Sequence, residues 1–401
     1  MGFRTIIRYL AAAACAVLLP MAANAAGAQG ITKHTITIGE LGPFSGPDSL
    51  FTPLNYGGVA YLNYVNAHGG VYGRKFKIVY ADSACNEETG IAAAKKLIYS
   101  DKVFMIMGQP CSGVAMAIKP LLLKAGIPWM GASADPRITT PAAPGLFHVT
   151  YTGRAMGLAM ASFAMTKPGV TKVAILEHSN EWAHGYCDPA AEYVKSHHGK
   201  IVAVTTLEPN ATDATPQVLR IKASGAQAVM ACVYQPDLIV FLRDMRQYHV
   251  DAMTVAALGA DFDQVLTTIR HHSYLKQQFF QPYQFKAKIN SKALQKFHDI
   301  FVKYLPKSDL PKNGVPTNFY YFGAPCAIVA VEGFRLAGTN PTTESWDKAV
   351  ESLKHFNTGL LADTETLSAT NHNGVHRMYA VGLSPSGEET VYKSWNKPLP
   401  E

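Results

Sequence analysis

Residues 34–82 read HTITIGELGPFSGPDSLFTPLNYGGVAYLNYVNAHGGVYGRKFKIVYAD. The ends of this stretch, His34 to Leu41 and Phe76 to Asp82, are short runs rich in β-branched and aromatic residues, which is strand composition. Between them 53–67 has a helical pattern, opened by Thr52-Pro53, a capping residue followed by proline at the first helical position. Strand, helix and strand of this size make a βαβ unit, whose two strands run parallel.

The same alternation continues outward. Strand candidates at 103–108, 127–131, 147–150, 172–177, 201–207, 226–233, 253–258 and 278–284 are separated by helical stretches at 87–99, 113–125, 153–166, 189–198, 214–223, 236–248 and 261–272. Asn86, followed by Glu87 and Glu88, and Asp188-Pro189 supply two further helix starts. The class is therefore α/β, with doubly wound parallel sheets covered on both faces. Roughly ten βα units exceed one ordinary sheet, so two lobes are expected. Beyond 284 the pattern changes to helices at 291–304, 318–337 and 344–355, then β-like runs at 376–383 and 390–395. Pro325 should kink the second of these helices or delay its start.

Composition narrows the function. With 48% hydrophobic and 16% charged residues the chain can bury large cores and is not disordered. Residues 1–25 read as a secretory leader: Arg4 and Arg8, an apolar run from Leu10 to Leu19, and Ala23-Asn24-Ala25 before the cleavage point. Losing Arg4 and Arg8 lowers the formal net charge from +7 to +5. The cations are dispersed and no nucleic-acid motif is present, so nucleic acid is not an expected partner. No further apolar run is long enough to span a membrane.

Enzyme signatures are lacking: there is no G-x-S-x-G elbow, P-loop, G-x-G-x-x-G after a strand or H-E-x-x-H. No cofactor or metal is expected. The pairs His197-His198 and His271-His272 point about 100° apart if helical, which suits solvated surface residues better than metal ligands. An exported hydrolase using Ser112 or Cys187 has no base placed by a motif. Polar, small-residue junctions stand instead at strand ends, at 42–47, 109–113 and 131–136. There Ser112 and Ser133 can hold a carboxylate with hydroxyls and helix-start N–H groups alone. The exported part has five cysteines, Cys85, Cys111, Cys187, Cys232 and Cys326, none in a CxxC spacing. Cys187 and Cys232 both fall in the second lobe and can pair, which leaves Cys326 alone, but connectivity does not follow from sequence.

These residues resemble a known family. The opening ITIGELGPFSGP, the segment NAHGGVYGRKFKIVYADSACNEETGIAAAKKLI, then VFMIMGQPCSG, AGIPWMGASADPRIT and KVAILEHSNEWAHG are similar to the leucine/isoleucine/valine-binding proteins of ABC importers. The resemblance implies two doubly wound lobes joined by three chain crossings: 31–152 with 283–358, and 153–282 with 359–401. It implies a disulfide from Cys85 to Cys111, worth roughly 3 to 3.5 kcal/mol by loop entropy. It places a ligand carboxylate on Ser112 and on the Ala132, Ser133, Ala134 loop, a ligand ammonium on Asp261, and aromatic walls at Phe51, Trp182 and Tyr234. Three positions depart from the family pattern: Ala134 for a hydroxyl, Asp261 for a glutamate and Trp182 for a tyrosine.

The expected activity follows from the resemblance. It is that of a monomeric periplasmic receptor closing on a carboxylate-bearing solute, an amino acid or an aromatic acid, and delivering it to an ABC permease without covalent chemistry. The alternative is a sensor of the same fold that signals instead of transporting.

Overall fold

The structure is a computed structural model that describes residues 28–269, 272–283, 291–374 and 377–395. The expected leader at 1–25 and the side chains of the 271–272 histidine pair lie outside these. The elements, in chain order, are β1 (Thr35–Gly42), α1 (Thr52–Ala67), β2 (Lys75–Asp82), α2 (Glu87–Lys95), β3 (Met105–Gly108), α3 (Ser112–Ala125), β4 (Trp129–Gly131) and β5 (Leu146–His148). There follow α4 (Gly153–Met165), β6 (Lys172–Glu177), α5 (Glu181–Ser196), β7 (Lys200–Thr206), α6 (Thr215–Ser224), β8 (Ala228–Cys232), α7 (Gln235–Gln247), β9 (Met253–Ala256), α8 (Phe262–Thr268) and β10 (Phe279–Tyr283). The last elements are α9 (Ser291–Tyr304), α10 (Asn318–Ala337), α11 (Thr343–Glu351), β11 (Met378–Leu383) and β12 (Glu389–Trp395).

Two sheets form, as the α/β reading requires. The first has the order β2-β1-β3-β4-β5 and is parallel throughout. The second has the order β12-β11-β10-β9-β8-β6-β7, parallel from β7 to β10, with β11 and β12 added antiparallel. Side chains alternate across the first sheet: Met105 and Met107 join the core of Phe76, Phe334 and Trp346, while Ile106 joins that of Val114, Ile118 and Trp129. Period-two alternation with both faces apolar is what makes such a strand read as one continuous hydrophobic run. On one face α1 and α10 pack so closely that a Cβ on Gly57 would lie 1.8 Å from the Tyr320 carbonyl, and one on Gly323 would lie 1.6 Å from that of Leu54. Only glycine permits that contact.

Several sequence expectations are corrected. Asp188-Pro189 does not start a helix; Pro189 lies inside α5, whose cap is Asn180, accepting from the Ala183 N–H at 3.0 Å. Thr52 is the first residue of α1, not its cap, and its hydroxyl donates to the Pro43 carbonyl at 2.6 Å. Helix α10 runs from 318 through Pro325. The lobe boundary expected at 358/359 also shifts. The 365–374 segment stays with the first sheet: Leu367 joins its core, and the His148 N–H donates to the His372 carbonyl while the Gly374 N–H donates to that of His148. The final crossing therefore lies beyond 374. No helix among the described residues is long and apolar enough to cross a membrane.

Candidate ligand-binding site

In an open parallel sheet the crevice lies at the strand carboxyl ends where the strand order reverses. That point falls between β1 and β3 in one sheet and between β6 and β8 in the other, and the two face each other.

On the first lobe, the loop after β1 is fixed by Asp82. Its Oδ1 accepts from the N–H groups of Phe44 at 2.9 Å, Ser45 at 3.3 Å and Ala84 at 2.8 Å. This loop carries Asp48 and Phe51. After β3, a disulfide joins Cys85 to Cys111, as the resemblance implied, immediately before Ser112. The Gln109 side chain accepts from the Cys111 N–H at 3.1 Å. Helix α3 then begins at Ser112, and no side chain caps it. Its first N–H groups have no carbonyl partner within the helix, and its dipole adds positive potential at the same end. The buried Ser133 hydroxyl donates to Ser112 Oγ at 3.4 Å.

On the second lobe, His178 organises the wall. Its Nε2 accepts from the Tyr234 N–H at 2.9 Å, which makes Nδ1 the protonated nitrogen that donates to the Leu207 carbonyl at 2.5 Å. Asn180 caps α5 and also donates through Nδ2 to Tyr234 Oη at 3.1 Å, so one side chain aligns the helix carrying Trp182 and the ring of Tyr234. A second disulfide, Cys187–Cys232, ties α5 to the end of β8. It consumes the Cys187 thiol considered above as a nucleophile and leaves Cys326 free and buried.

Between these halves lies a cavity of about 530 Å³. Of the residues expected there, Phe51, Ser112, Ala132, Trp182 and Tyr234 line it. Ser133 sits behind Ser112, and Ala134 is buried off the wall. Asp261 is the clear correction. Its Oδ1 caps α8, accepting from the N–H groups of Asp263 at 3.0 Å and Gln264 at 3.2 Å, and the residue stands behind the wall. A shorter side chain than glutamate suits a cap, because the carboxylate must fold back on its own helix.

Residues the sequence reading missed also line it, among them Asp48, Glu87, Tyr151, Asn180, Glu181, His184, Tyr186 and the α10 pair Phe319 and Phe322. The rings meet edge to face or tilted, Phe51 to Tyr234 at 5.0 Å across the lobes, Phe51 to Phe319 at 5.4 Å and Trp182 to Tyr234 at 4.9 Å. Burial raises the phenols of Tyr151, Tyr186 and Tyr234, so all three are neutral at physiological pH. Burial likewise raises the Asp48 carboxyl. Glu181, on the rim, is bonded to Arg137 of the opposite lobe at 2.5 Å.

Chemically the cavity sets the N–H groups at the start of α3 and the Ser112 hydroxyl opposite an aromatic box, and among the described residues its lining has the carboxylates of Asp48, Glu87 and Glu181 and no lysine or arginine. Among the described residues two groups, Glu177 with His184 and Asp188, and Asp347 with Glu351 and His372, bring three metal-ligating atoms within 4.8 Å of one another. His197 and His198 are exposed and belong to neither.

Residues 35–388 match the periplasmic binding protein family. The chain belongs to that family. Among its relatives in the family is an amino acid binding protein of Pseudomonas aeruginosa, 26% identical over 62% of this chain and 67% of the relative. A branched-chain amino acid ABC transporter structure from Thermus thermophilus with bound valine superposes with a TM-score of 0.82 at 18% identity, over 92% of this chain and 98% of that one. A solute-binding protein of an ABC transporter from Rhodopseudomonas palustris, in complex with p-hydroxybenzoic acid, gives 0.77 at 21% identity, over 91% and 98%. At these identities the likeness to solved structures speaks for the fold of this periplasmic binding protein, two lobes around a cleft.

Proposed function

We propose that this chain is the substrate-binding component of an ABC importer, exported by its leader to the periplasm, where it closes on a small carboxylate-bearing solute. The observation that supports this best is the pairing of two half-sites at opposed strand switch points. One ends in Ser112 and the start of α3, and the other in Trp182 and Tyr234. The carboxylate sits on the α3 N–H groups and the Ser112 hydroxyl, and the apolar remainder packs against the rings, which favour edge-on and offset contacts. Closure follows from differential affinity: the ligand touches both halves only when they meet, so it stabilises the closed state by that difference and no more. The two solved relatives named above are parts of ABC transporters by their own descriptions, which favours import over signalling.

Calorimetry with branched-chain and aromatic amino acids and with aromatic acids tests the proposal. Binding at micromolar Kd or tighter to at least one of them is expected. Failure of every one to bind below millimolar would overturn it. Native mass spectrometry of protein purified from its own periplasm identifies any retained solute directly.

A further inference from the structure

The Asp261 carboxylate reaches across the cleft. Helix α10 packs on α1 and belongs to the first lobe, whereas Asp261 precedes α8 in the second. Asp261 Oδ2 accepts from the Asn318 N–H, the first of α10, at 2.6 Å, and Oδ1 accepts from Asn318 Nδ2 at 2.9 Å. The same Oδ1 takes the N–H groups of Asp263 and Gln264. One buried carboxylate thus serves two helix N-termini, one from each lobe, and the Gln235 side chain fixes its own N–H at 3.0 Å. Both helix ends carry positive potential that favours an anion between them, and hydrogen bonds to a charged acceptor are the stronger kind.

We infer that Asp261 is a latch between the lobes, a positioning residue that holds the closed state from behind the ligand, and not a receptor for a ligand ammonium. The inference rests on the binding reading above and sharpens its substrate class. Because the protein itself supplies the anion-to-N–H contact across the cleft, a ligand needs no amino group to complete closure. Plain carboxylic acids with an aromatic or branched apolar body are therefore bound as well as their α-amino counterparts. The seat for the acid remains Ser112 and α3, on a different part of the first lobe from Asn318.

The test is a cycle between Asp261→Asn and the ligand amino group, using the pairs phenylalanine with 3-phenylpropanoate and leucine with 4-methylpentanoate. Calorimetry on the mature chain should give Kd values within about three-fold inside a pair. The variant should weaken both members by the same factor, about ten-fold, because a latch acts on closure and not on one ligand group. A wild type that prefers the amino acid at least 100-fold, with that preference lost in Asp261→Asn, would make Asp261 the ammonium receptor and overturn the inference while leaving the binding function intact. A ligand-free measurement separates the two claims further. Small-angle scattering should show a larger radius of gyration for Asp261→Asn than for wild type, with unchanged circular dichroism. Identical radii would refute the latch whatever binds, and failure of all four ligands on wild-type protein would count against the binding proposal alone, leaving the scattering result to decide the latch.

Discussion

Replacing Glu40 by glutamine should stabilise the protein progressively more as pH rises. Glu40 lies on β1 beneath the cleft, 1% exposed, and its Oε2 accepts from Asn55 Nδ2 at 2.8 Å. Burial pushes its carboxyl up to about 8 against the ordinary 4.5, with the Asn55 bond opposing. A buried acid raised in this way is protonated when folded at neutral pH, whereas the unfolded chain is ionised. Between pH 4.5 and 8 the unfolded state therefore binds fewer protons, and stability falls as pH rises, at no more than about 1.4 kcal/mol per pH unit. Below 4.5 both states are protonated, and above 8 both are ionised, so the loss is flat outside the window. Across it the total is at most about 5 kcal/mol, on the order of the whole stability of many domains. Glutamine keeps the shape of the protonated acid, does not titrate, and retains an oxygen that can accept from Asn55 Nδ2. Urea unfolding of wild type and Glu40→Gln at half-unit steps from pH 4.5 to 8.5 reads the difference. It should start near zero and widen by roughly 3–5 kcal/mol. Glu365, also buried and raised, contributes the same slope to both proteins and cancels. Curves that stay parallel from pH 4.5 to 8.5 would mean that Glu40 is ionised in the folded state, and the reasoning fails.

Ser112→Ala should weaken a bound carboxylate ligand by roughly 1–2 kcal/mol, about 5- to 30-fold in Kd by calorimetry, while thermal unfolding without ligand shifts little. Removing the Cys187–Cys232 disulfide by a double alanine replacement should cost about 4 kcal/mol in urea unfolding, from the 45-residue separation on the loop-entropy view. Trp182→Phe should bind aromatic acids within a few-fold of wild type, and Trp182→Ala should lose at least ten-fold, since about 0.5–1.5 kcal/mol of ring contact goes together with buried area. Arg137→Ala should destabilise the protein by roughly 1–3 kcal/mol in urea unfolding, because beyond the exposed Glu181 contact it strips the buried Asp135 carboxylate of a bidentate partner held at 2.6–3.1 Å.

The fold was legible where local pattern and tertiary burial agree. Strands such as 172–177 read correctly because every parallel strand buried on both faces must be apolar. Asp188-Pro189 carries a local cap-then-proline signal. Asn180, eight residues earlier, is the real cap, and its signal is just as local: an Asn followed by Glu181, as at Asn86-Glu87, so two local signals competed and the proline misled. The placement of Ser112 and Trp182 on the cavity was readable because each lies at one strand end and the helix after it. Phe319 and Phe322 were not, since their helix starts at 318, more than 260 residues after Phe51, and reaches the cleft only through the return crossing. Asp261 was expected to meet a ligand ammonium, whereas in the structure its carboxylate accepts from the starts of α8 and α10. Its direction depends on the start of α10, a contact of the closed molecule and not of the sequence around it.

The two disulfides share a placement with a further consequence. Cys111 adjoins Ser112, and Cys187 and Cys232 stand five residues after Trp182 and two before Tyr234, so each jaw has a covalent rivet directly behind its gripping surface. Neither rivet crosses the gap. The freedom lost on capture is then confined to the swing of one jaw against the other, since the groups within each are already set. Changing the cargo by altering Trp182, which packs on Tyr186 and Tyr234 within its own jaw, should leave the opposite jaw set, whereas altering Phe51 or Tyr234, whose rings meet across the gap at 5.0 Å, should also shift the swing.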